Sequence, residues 1–510
     1  MAIFEILYLA CAVVLGLYGG YSLLLTGLYL FHARRGEPVP PQPHEWPTVT
    51  VQLPIYNEGP AAERALSVLA QLDYPRDRLE IQVLDDSTDD TRERLARAVE
   101  ALCAEGLWVR HLTREDRAGY KAGALAAGLA QASGELCAIF DADFYPDADF
   151  LKRLVPYFAD ESVACVQARW THTNRDYSSL TAVQALYLDS HFVVDQLARC
   201  RSGLLVQFNG TGGVWRRSAI EEAGGWQADT LVEDLDLSYR VQLQGRRIVY
   251  LPDVTVPGEL PVQIMAFKRQ QARWAQGATQ AALKLMGPLW RSRRPLTNKI
   301  ESTMRLWAYS AQAIGFVLFL VTLPIIVYGR QVLSASPWLL LAFVGPVTLS
   351  SVAQFAQGHG AWRRLVALPL VMLVAPGLAL NTVWAMLKAL AGVRGVFDRT
   401  PKYGVGRPGE RWESSAYVLH SDWLTWAEAG VAALSVGWLM SRHLNWSKVS
   451  GALLFPAGLV LVAGWSVWQS IQRQRWLAKN QKRATALPGG VAQRQSEREV
   501  VGRNGPGPAW

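Results

Sequence analysis

Long uncharged runs of apolar residues constrain the fold of this 510-residue chain more than any other sequence feature. Residues 3–31 carry a single charged side chain, Glu5, and the run exceeds the roughly 20 residues that a membrane helix requires. Basic residues follow this run instead of preceding it, which disfavours a cleaved signal peptide and places the next segment in the cytosol. Residues 1–35 are therefore predicted to form an N-terminal transmembrane helix.

Five further apolar runs lie after residue 300, and four of them are predicted to cross the membrane completely: 306–328, 338–355, 423–440 and 452–471. The fifth contains Pro, Gly, Asn and Lys, and the segment after it, 394–411, is rich in arginine. Because positive charge marks cytosolic loops, this fifth run, 366–390, is predicted to be re-entrant or interfacial. Residues 297–478 would thus form a C-terminal membrane region, and residues 479–510 a disordered basic tail.

The residues between these runs, 46–296, have the composition of an ordinary globular domain. They hold four of the five cysteines without a CxxC pair, which indicates reduced cytosolic thiols. The net charge of +8 comes largely from basic residues beside the apolar runs, where membrane lipids explain it, so no nucleic-acid partner is predicted. Alternating strand and helix patterns favour a parallel, doubly wound α/β sheet. No GxGxxG follows the first strand and no P-loop is present, which disfavours dinucleotide oxidoreductases and P-loop ATPases.

Two of the predicted strands end abruptly in carboxylates. Asp85 and Asp86 close one apolar run, and Asp141 and Asp143 close another. In open α/β sheets the ligand binds beyond the carboxyl ends of the strands, and two acids on one loop can reach a hard divalent cation. Aspartate also caps helices and fills turns, but two such motifs, each ending an apolar run, favour a binding site.

Three other segments are ambiguous when each is taken alone. Lys121 lies in the first turn of a predicted helix, a position that suits diphosphate binding and a solvated lysine about equally. Glu233 and Asp234 begin another helix, where ordinary capping also accounts for acidic residues. Residues 270–274 read Gln-Gln-Ala-Arg-Trp on a helix near the membrane runs, which equally suits a helix at the membrane surface.

Taken in order, these segments resemble the processive family-2 membrane glycosyltransferases. The matching segments begin at Pro54, Asp85, Lys121, Asp141, Val232, Gln270 and Phe397. The set is similar to cellulose synthase and, more closely, to the plant mannan synthase-like branch, because Asn209-Gly-Thr is followed by Gly-Gly-Val-Trp-Arg. The resemblance implies a cytosolic GT-A-type domain, doubly wound and Rossmann-like, inserted between α-helical transmembrane segments.

The resemblance also implies a role for each candidate site residue. Asp234 would be the general base of the reaction. The residues that bind the nucleotide sugar would be Asp85, Lys121 and Asp141. A Mg²⁺ or Mn²⁺ ion would be held by Asp141 and Asp143. The acceptor and the departing diphosphate would be held by Gln270, Arg273 and Trp274.

Two enzymatic functions follow as expectations. The first is inverting, metal-dependent transfer from a UDP-glucose- or GDP-mannose-class donor to a growing β-linked polysaccharide, coupled to its translocation across the plasma membrane. The second is transfer of one sugar to a diacylglycerol- or ceramide-type lipid. A non-enzymatic transporter or scaffold is disfavoured because the acidic motifs are intact. The expected partners are the donor, a polysaccharide or lipid acceptor and membrane lipids, whereas the donor sugar, the linkage and any accessory subunit remain open.

Overall fold

The computed structural model describes residues 2–33, 36, 38–327, 336–397, 401, 403–405, 410–414, 418–441 and 453–486. A seven-stranded sheet with the order β3-β2-β1-β4-β6-β5-β7 forms the centre of the domain that follows the first helix. Its strands are β1 (Val49–Ile55), β2 (Leu79–Asp85), β3 (Trp108–Thr113), β4 (Leu136–Ile139), β5 (Val163–His172), β6 (Gly213–Arg216) and β7 (Arg247–Gly258).

The sheet is mixed, so the predicted all-parallel arrangement is wrong at one strand. Strands β1 to β4 pair in parallel, as β5 and β7 do, but β6 runs antiparallel to both β4 and β5. The turn before β6 accounts for this direction, because Gly212 N–H donates to the Ile139 carbonyl at 2.9 Å. The chain therefore enters β6 at the carboxyl end of β4 and can only run back along it.

Helices cover both faces of the sheet, as the alternating pattern predicts. Those in the first half are α2 (Gly59–Leu69), α3 (Thr91–Ala104), α4 (Tyr120–Ala130) and α5 (Phe150–Leu154). Their apolar positions meet the strands in a core that includes fully buried Val51, Leu66 and Val83. The strands that carry the acids are buried on both faces, and this explains their continuous apolar sequence.

The second half of the domain leads into the membrane helices. Its helices are α6 (Ser179–Asp189), α7 (Gln196–Arg201), α8 (Arg217–Glu222), α9 (Glu233–Leu243), α10 (Ile264–Arg291) and α11 (Leu296–Leu306). A π-helical turn, Ser190–Asp195, joins α6 to α7 without a break. The helix predicted to carry residues 270–274 is α10, and its apolar face continues in both directions across contacts with α9 and α11.

Helix α11 is amphipathic in the reverse sense for a soluble protein. Its buried face carries Asn298, Glu301 and Ser302, whereas Leu296 and Ile300 are exposed. Polar residues that face the domain and apolar residues that face outward are the pattern of a helix lying at a membrane surface.

The remaining helices are apolar and lie mostly outside the sheet domain. They are α1 (Ala2–His32), α12 (Ser310–Val327), α13 (Pro337–Ala356), α14 (Ala361–Leu365), α15 (Leu368–Gly377), α16 (Ala379–Leu390), α17 (Trp423–Met440) and α18 (Leu454–Ala486). By length and composition α1, α13 and α18 could each cross a membrane. Among the described residues the count of candidate spans rises from three to five if two bent pairs, α11 with α12 and α14–α15 with α16, each form one span.

Several predicted span boundaries differ in the structure. The span predicted at 306–328 begins four residues later in the structure, because α11 ends at Leu306 and α12 starts at Ser310 after a bend of 63°. The region at 366–390 is broken by a 43° bend, and its re-entrant character remains a prediction.

Two further differences from the predicted segments concern α17 and α18. Helix α17 is not among the helices apolar enough to cross, since it contains Glu428, which is buried against Lys268. Helix α18 continues to Ala486 and so includes the first residues of the predicted disordered tail. Residues 487–510 lie outside the described part of the chain.

Helices α1 and α13 approach each other closely at two glycines. A Cβ atom on Gly19 would overlap the Leu341 carbonyl, and one on Gly345 would overlap the carbonyl of Gly19. Small residues permit this backbone-to-backbone packing between membrane helices.

Candidate active site

A large cavity of about 1420 Å³ lies at the carboxyl ends of the sheet strands and continues among the membrane helices. Asp141 and Asp234 line its part within the domain. Tyr18 of α1, Phe319 of α12 and Leu339 of α13 line its part among the apolar helices. The cavity therefore connects the acidic ends of the strands with the interior of the helical region.

The acidic cluster, defined here as Lys121, Asp141, Glu233 and Asp234, is the chemical centre of this cavity. Lys121 Nζ lies 2.6 Å from Asp141 Oδ1 and 3.8 Å from Glu233 Oε1. Burial lowers the pKa of Lys121, but the two acids outweigh it and the net pKa is raised, so this lysine is cationic. Segments that are far apart in sequence thus meet around one amine.

Asp234 lies in the first turn of α9 and faces the cavity. Burial raises the pKa of its carboxyl group to about 7, and the neighbouring Glu233 adds to the shift, while Lys121 and Arg273 oppose it. A carboxyl group with a pKa near 7 can accept and release a proton near neutral pH. Its Oδ1 atom accepts a hydrogen bond from the Leu235 N–H at 2.8 Å, and this bond fixes the orientation of the group.

Asp141 and Asp143 follow β4 as predicted and both line the cavity. The Asp141 side chain is about one third exposed (34%), and its backbone N–H donates to Thr211 Oγ1 at 2.9 Å. Asp143 is buried. Within the described residues, no group of three or more His, Cys, Asp or Glu side chains could hold a metal ion. Two carboxylates still fit a Mg²⁺-type site, since this ion is usually bound by one or two carboxylates plus phosphate oxygens and water.

Asp85 does not join the other predicted site residues. Its buried carboxylate lies 2.9 Å from His111 Nε2 and accepts the Ser87 N–H at 2.8 Å, and the residue is not part of the cavity lining. Burial raises the pKa of Asp85, but the hydrogen bonds from His111 and Ser87 outweigh it and the net pKa is lowered. The neighbouring Asp86 lines the cavity instead and is paired with Arg114.

Helix α10 brings Gln270, Arg273 and Trp274 to the cavity, as predicted. The Arg273 guanidinium lies 4.3 Å from the centre of the Phe397 ring. Its buried Nε atom has no hydrogen-bond partner among the described residues. Burial lowers the pKa of Arg273, while Glu233 and Asp234 partly restore it. A buried guanidinium with an unused N–H beside the acidic cluster is suited to an anionic ligand.

Two aromatic contacts close the cavity beside Lys121. The Arg117 guanidinium lies 3.4 Å from the centre of the Tyr56 ring, and Tyr120 stacks with Phe397 at 6.3 Å. Phe397 begins the loop 397–403 that the resemblance singles out, and it lines the cavity. Residues 398–400 and 402 lie outside the described part of the chain.

Other cavity residues were not foreseen from the sequence, notably His191, Arg305 and Tyr309. They come from the π-helical turn, from α11 and from the residues just after α11. None lies in a recognisable motif. His191 and Arg305 are revealed only in the folded chain, by their contacts with Asn209 and Gln207.

Residues 47–277 match the family described as glycosyltransferase like family 2. The match covers the sheet domain and not the membrane helices that follow it. The matched residues include the acidic cluster and the first half of α10.

Curated relatives confirm the predicted branch. Glucomannan 4-beta-mannosyltransferase 1 from Oryza sativa subsp. japonica is 39% identical over 288 residues, covering 54% of this chain and 55% of the relative. Glucomannan 4-beta-mannosyltransferase 2 from Arabidopsis thaliana is 42% identical over 257 residues, covering 49% and 48%. The chain spans about half the length of these relatives.

A solved structure confirms the fold. The mannosyltransferase PcManGT from Pyrobaculum calidifontis, determined in complex with GDP-Man and Mn²⁺, is 23% identical and superposes with a TM-score of 0.53. The match covers 76% of this chain and 99% of the archaeal chain. The mixed α/β sheet of this protein is thus of the GT-A type, as predicted.

Proposed function

We propose that this protein transfers a sugar from a nucleotide-sugar donor to a growing β-linked polysaccharide, with inversion at the anomeric carbon. The observation that carries the proposal is the meeting of Asp234 with the Lys121–Asp141 pair in one cavity. The names of the plant relatives and of the archaeal structure favour a GDP-mannose-class donor over the UDP-glucose class.

The proposed chemistry is a single displacement. Asp234 takes the proton of the acceptor hydroxyl as that oxygen attacks the anomeric carbon, and the bond to the diphosphate breaks on the opposite face. Lys121 and Arg273 neutralise the negative charge that develops on the departing diphosphate. Trp274 offers an apolar face on which the acceptor sugar can stack. The α-linked donor thereby gives a β-linked product without a covalent enzyme intermediate.

A divalent cation fits this scheme. Asp141 and Asp143 would hold it, together with the donor's phosphate oxygens, and when bound it supplies charge neutralisation at the diphosphate. The proposal requires that a chelator abolish turnover and that Mg²⁺ or Mn²⁺ restore it. Asp143→Asn should remove activity in a folded protein, whereas Asp147→Asn, an exposed acid on the same loop, should not. Full turnover in excess chelator would contradict the metal assignment.

Processive synthesis and translocation are also part of the proposal. The cavity extends from Asp234 to residues of α1, α12, α13 and α15, so a chain growing at the site has a route into the helical region. In this scheme the sheet domain is cytosolic, and the protein is a multi-pass protein of the cell membrane. Protease protection of the sheet domain in sealed, right-side-out vesicles, and cleavage in inverted ones, would be the expected result.

A single-sugar transfer to a lipid is the second candidate. The observation in its favour is the apolar character of the cavity among the membrane helices, where Leu318, Ile326 and Val371 would suit an acyl chain as well as a polymer. Stacking residues near Asp234, such as Trp274 and Tyr309, favour a sugar acceptor there.

Product size separates the two candidates. Purified protein should be incubated with a panel of radiolabelled nucleotide sugars, and the products sized and extracted with organic solvent. A processive synthase gives a ladder or high polymer even when acceptor greatly exceeds enzyme. One or two discrete products that are soluble in organic solvent would establish the lipid reaction instead. An Asp234→Asn sample, run in parallel, excludes a contaminating activity.

A further inference from the structure

The turn formed by residues 209–211 lies against three members of the acidic cluster: Lys121, Asp141 and Asp234. The Gly210 carbonyl accepts a hydrogen bond from Lys121 Nζ at 2.9 Å, and Thr211 Oγ1 accepts the Asp141 N–H at 2.9 Å. Gly210 has a φ of +83°, and a Cβ atom on it would lie only 3.1 Å from Asp234 Oδ2. A small displacement of this turn would therefore move the groups that carry the proposed reaction.

His191 holds this turn from the side of the membrane helices. Its Nε2 atom lies 3.0 Å from Asn209 Oδ1, and its Nδ1 atom lies 2.8 Å from Asp195 Oδ2. The amide of Asn209 also donates from Nδ2 to the Gln207 carbonyl at 3.2 Å, which sets the orientation that turns Oδ1 towards His191. The imidazole thus bridges a carboxylate and the side chain next to Gly210.

The backbone around His191 departs from ordinary helix geometry. Residues Ser190–Asp195 form a π-helical turn within an otherwise continuous helix, and such turns occur frequently at functional sites. Four residues of this turn, Ser190, His191, Phe192 and Asp195, line the cavity.

The far side of the bridge is fixed by a set of buried charges. The paired cluster, defined here as Asp195, Arg199, Glu301 and Arg305, joins α7 to α11. Arg199 contacts Asp195 and Glu301, and it also donates to the Tyr21 hydroxyl of α1. Arg305 donates to Gln207 Oε1 at 2.9 Å and approaches Asp195 at 3.6 Å. Asp195 is therefore an immobile support for the His191 ring.

We propose that His191 is a positioning residue for glycosyl transfer, acting through Asn209 to hold the 209–211 turn against Lys121, Asp141 and Asp234. The inference rests on the proposed function of this site. His191 does not take part in bond making or breaking. It transmits the arrangement of α1, α7 and α11 to the turn that contacts Lys121 and Asp141.

A double-mutant cycle tests the proposal. His191→Ala, Asn209→Ala and the double variant are compared with the wild type for kcat, KM of the donor and thermal unfolding. His359→Ala, an exposed histidine after α13, is the matched control. Each single variant should lower kcat by roughly 10²-fold, the typical effect of misplacing reacting groups by about 1 Å, with KM changed far less. The double variant should be no slower than Asn209→Ala alone, because both changes release the same turn.

The outcomes separate positioning from a structural role. Effects on log kcat that add in the double variant, or an unchanged kcat for folded His191→Ala, would overturn the proposal. If His191→Ala does not fold, His191→Gln takes its place in the cycle. In the full series, partial recovery of kcat in His191→Gln, which keeps a donor for Asn209, supports the proposal. Recovery of stability without kcat overturns it.

Failure of the proposed function gives a different result. If the wild type turns over no donor in the panel, that function fails, and the cycle is run on GDP and UDP affinity by calorimetry. Non-additive loss of diphosphate affinity in the three variants still supports the positioning role, since Lys121 would be released. Unchanged affinity in all three overturns it.

Discussion

The two buried charge clusters of this protein shift the pKa of an aspartate in opposite directions, although burial acts in the same way on both. It raises the pKa of Asp234 and of Asp195 alike, because both carboxylates leave water. In the acidic cluster Glu233 adds to the effect and the pKa of Asp234 rises to about 7. In the paired cluster Arg199 and Arg305 overcome it, and the pKa of Asp195 falls well below its usual range.

The difference lies in the balance of charge. In the acidic cluster three acids outnumber Lys121 and the neighbouring Arg273, whereas two acids face two arginines in the paired cluster. An unbalanced cluster on a cavity wall can take up a proton or a cationic ligand, which is the property expected of a catalytic site. A cluster with balanced charge does not attract a proton or a cationic ligand, and in this protein it joins helices instead.

Removing the base should have the largest effect. Asp234→Asn preserves the size of the side chain but removes its capacity to accept a proton, so kcat should fall by about 10²- to 10⁴-fold. Glu233→Gln should be milder because it removes only a neighbouring charge. Both are measured by turnover at matched stability, together with GDP affinity, which should survive in Asp234→Asn. A normal rate for Asp234→Asn would show that Asp234 is an ordinary acid in the first turn of α9 and not the general base.

Breaking the paired cluster should show first as a loss of stability. Arg199→Met leaves Asp195 and Glu301 buried without their shared partner, and the loss of one member of a buried pair typically costs about 3–5 kcal/mol. Thermal or denaturant unfolding in detergent measures this loss. A change below about 1 kcal/mol would mean that the buried arginine is not needed to join α7 and α11.

The pH dependence of turnover should show the unbalanced cluster directly. Asp234 must be deprotonated to act as a base, and its pKa is about 7. The rate should therefore fall on the acidic side of this value by about tenfold per pH unit. Glu233→Gln removes a charge that raises the pKa of Asp234, so the acidic limb should move to lower pH. A limb that stays in place in this variant would separate Glu233 from the titration.

An exposed ion pair provides the smallest expected effect. Lys152 and Asp73 lie 2.7 Å apart, but their side chains are 37% and 62% exposed. Lys152→Ala should change the free energy of unfolding by less than about 1 kcal/mol, because water and salt screen such pairs. The same unfolding assay as for Arg199→Met gives the comparison. A loss as large as that of Arg199→Met would show that charge pairing, and not burial, determines the cost.

The acidic cluster was largely predictable from the sequence, whereas the paired cluster was not. Asp141 and Asp234 lie at the ends of a strand and a helix, where the local sequence pattern marks them. Arg199 and Glu301 are a hundred residues apart and each reads as a surface charge on a helix. Their burial depends on α11 presenting its polar face inward, which only tertiary packing decides.

For Asp85 the sequence predicted the strand end correctly but not which way the side chain points. Its motif was recognised correctly as the end of a buried strand, but the side chain turns to His111 and leaves Asp86 facing the cavity. Successive strand residues point to opposite faces, so a shift of one residue changes which acid meets a ligand. The direction of β6 was missed for a similar reason, since the turn at 209–212 carries no sign of the strand's orientation.

The glycine contact between α1 and α13 has a practical meaning for protein engineering. Because a larger side chain at Gly19 would overlap α13, α1 cannot be replaced by an arbitrary hydrophobic helix. Tyr18 and Tyr21 of the same helix form part of the cavity wall, and Tyr21 contacts Arg199. A soluble fragment that begins after α1 would lack one wall of the cavity, even if its sheet folds correctly.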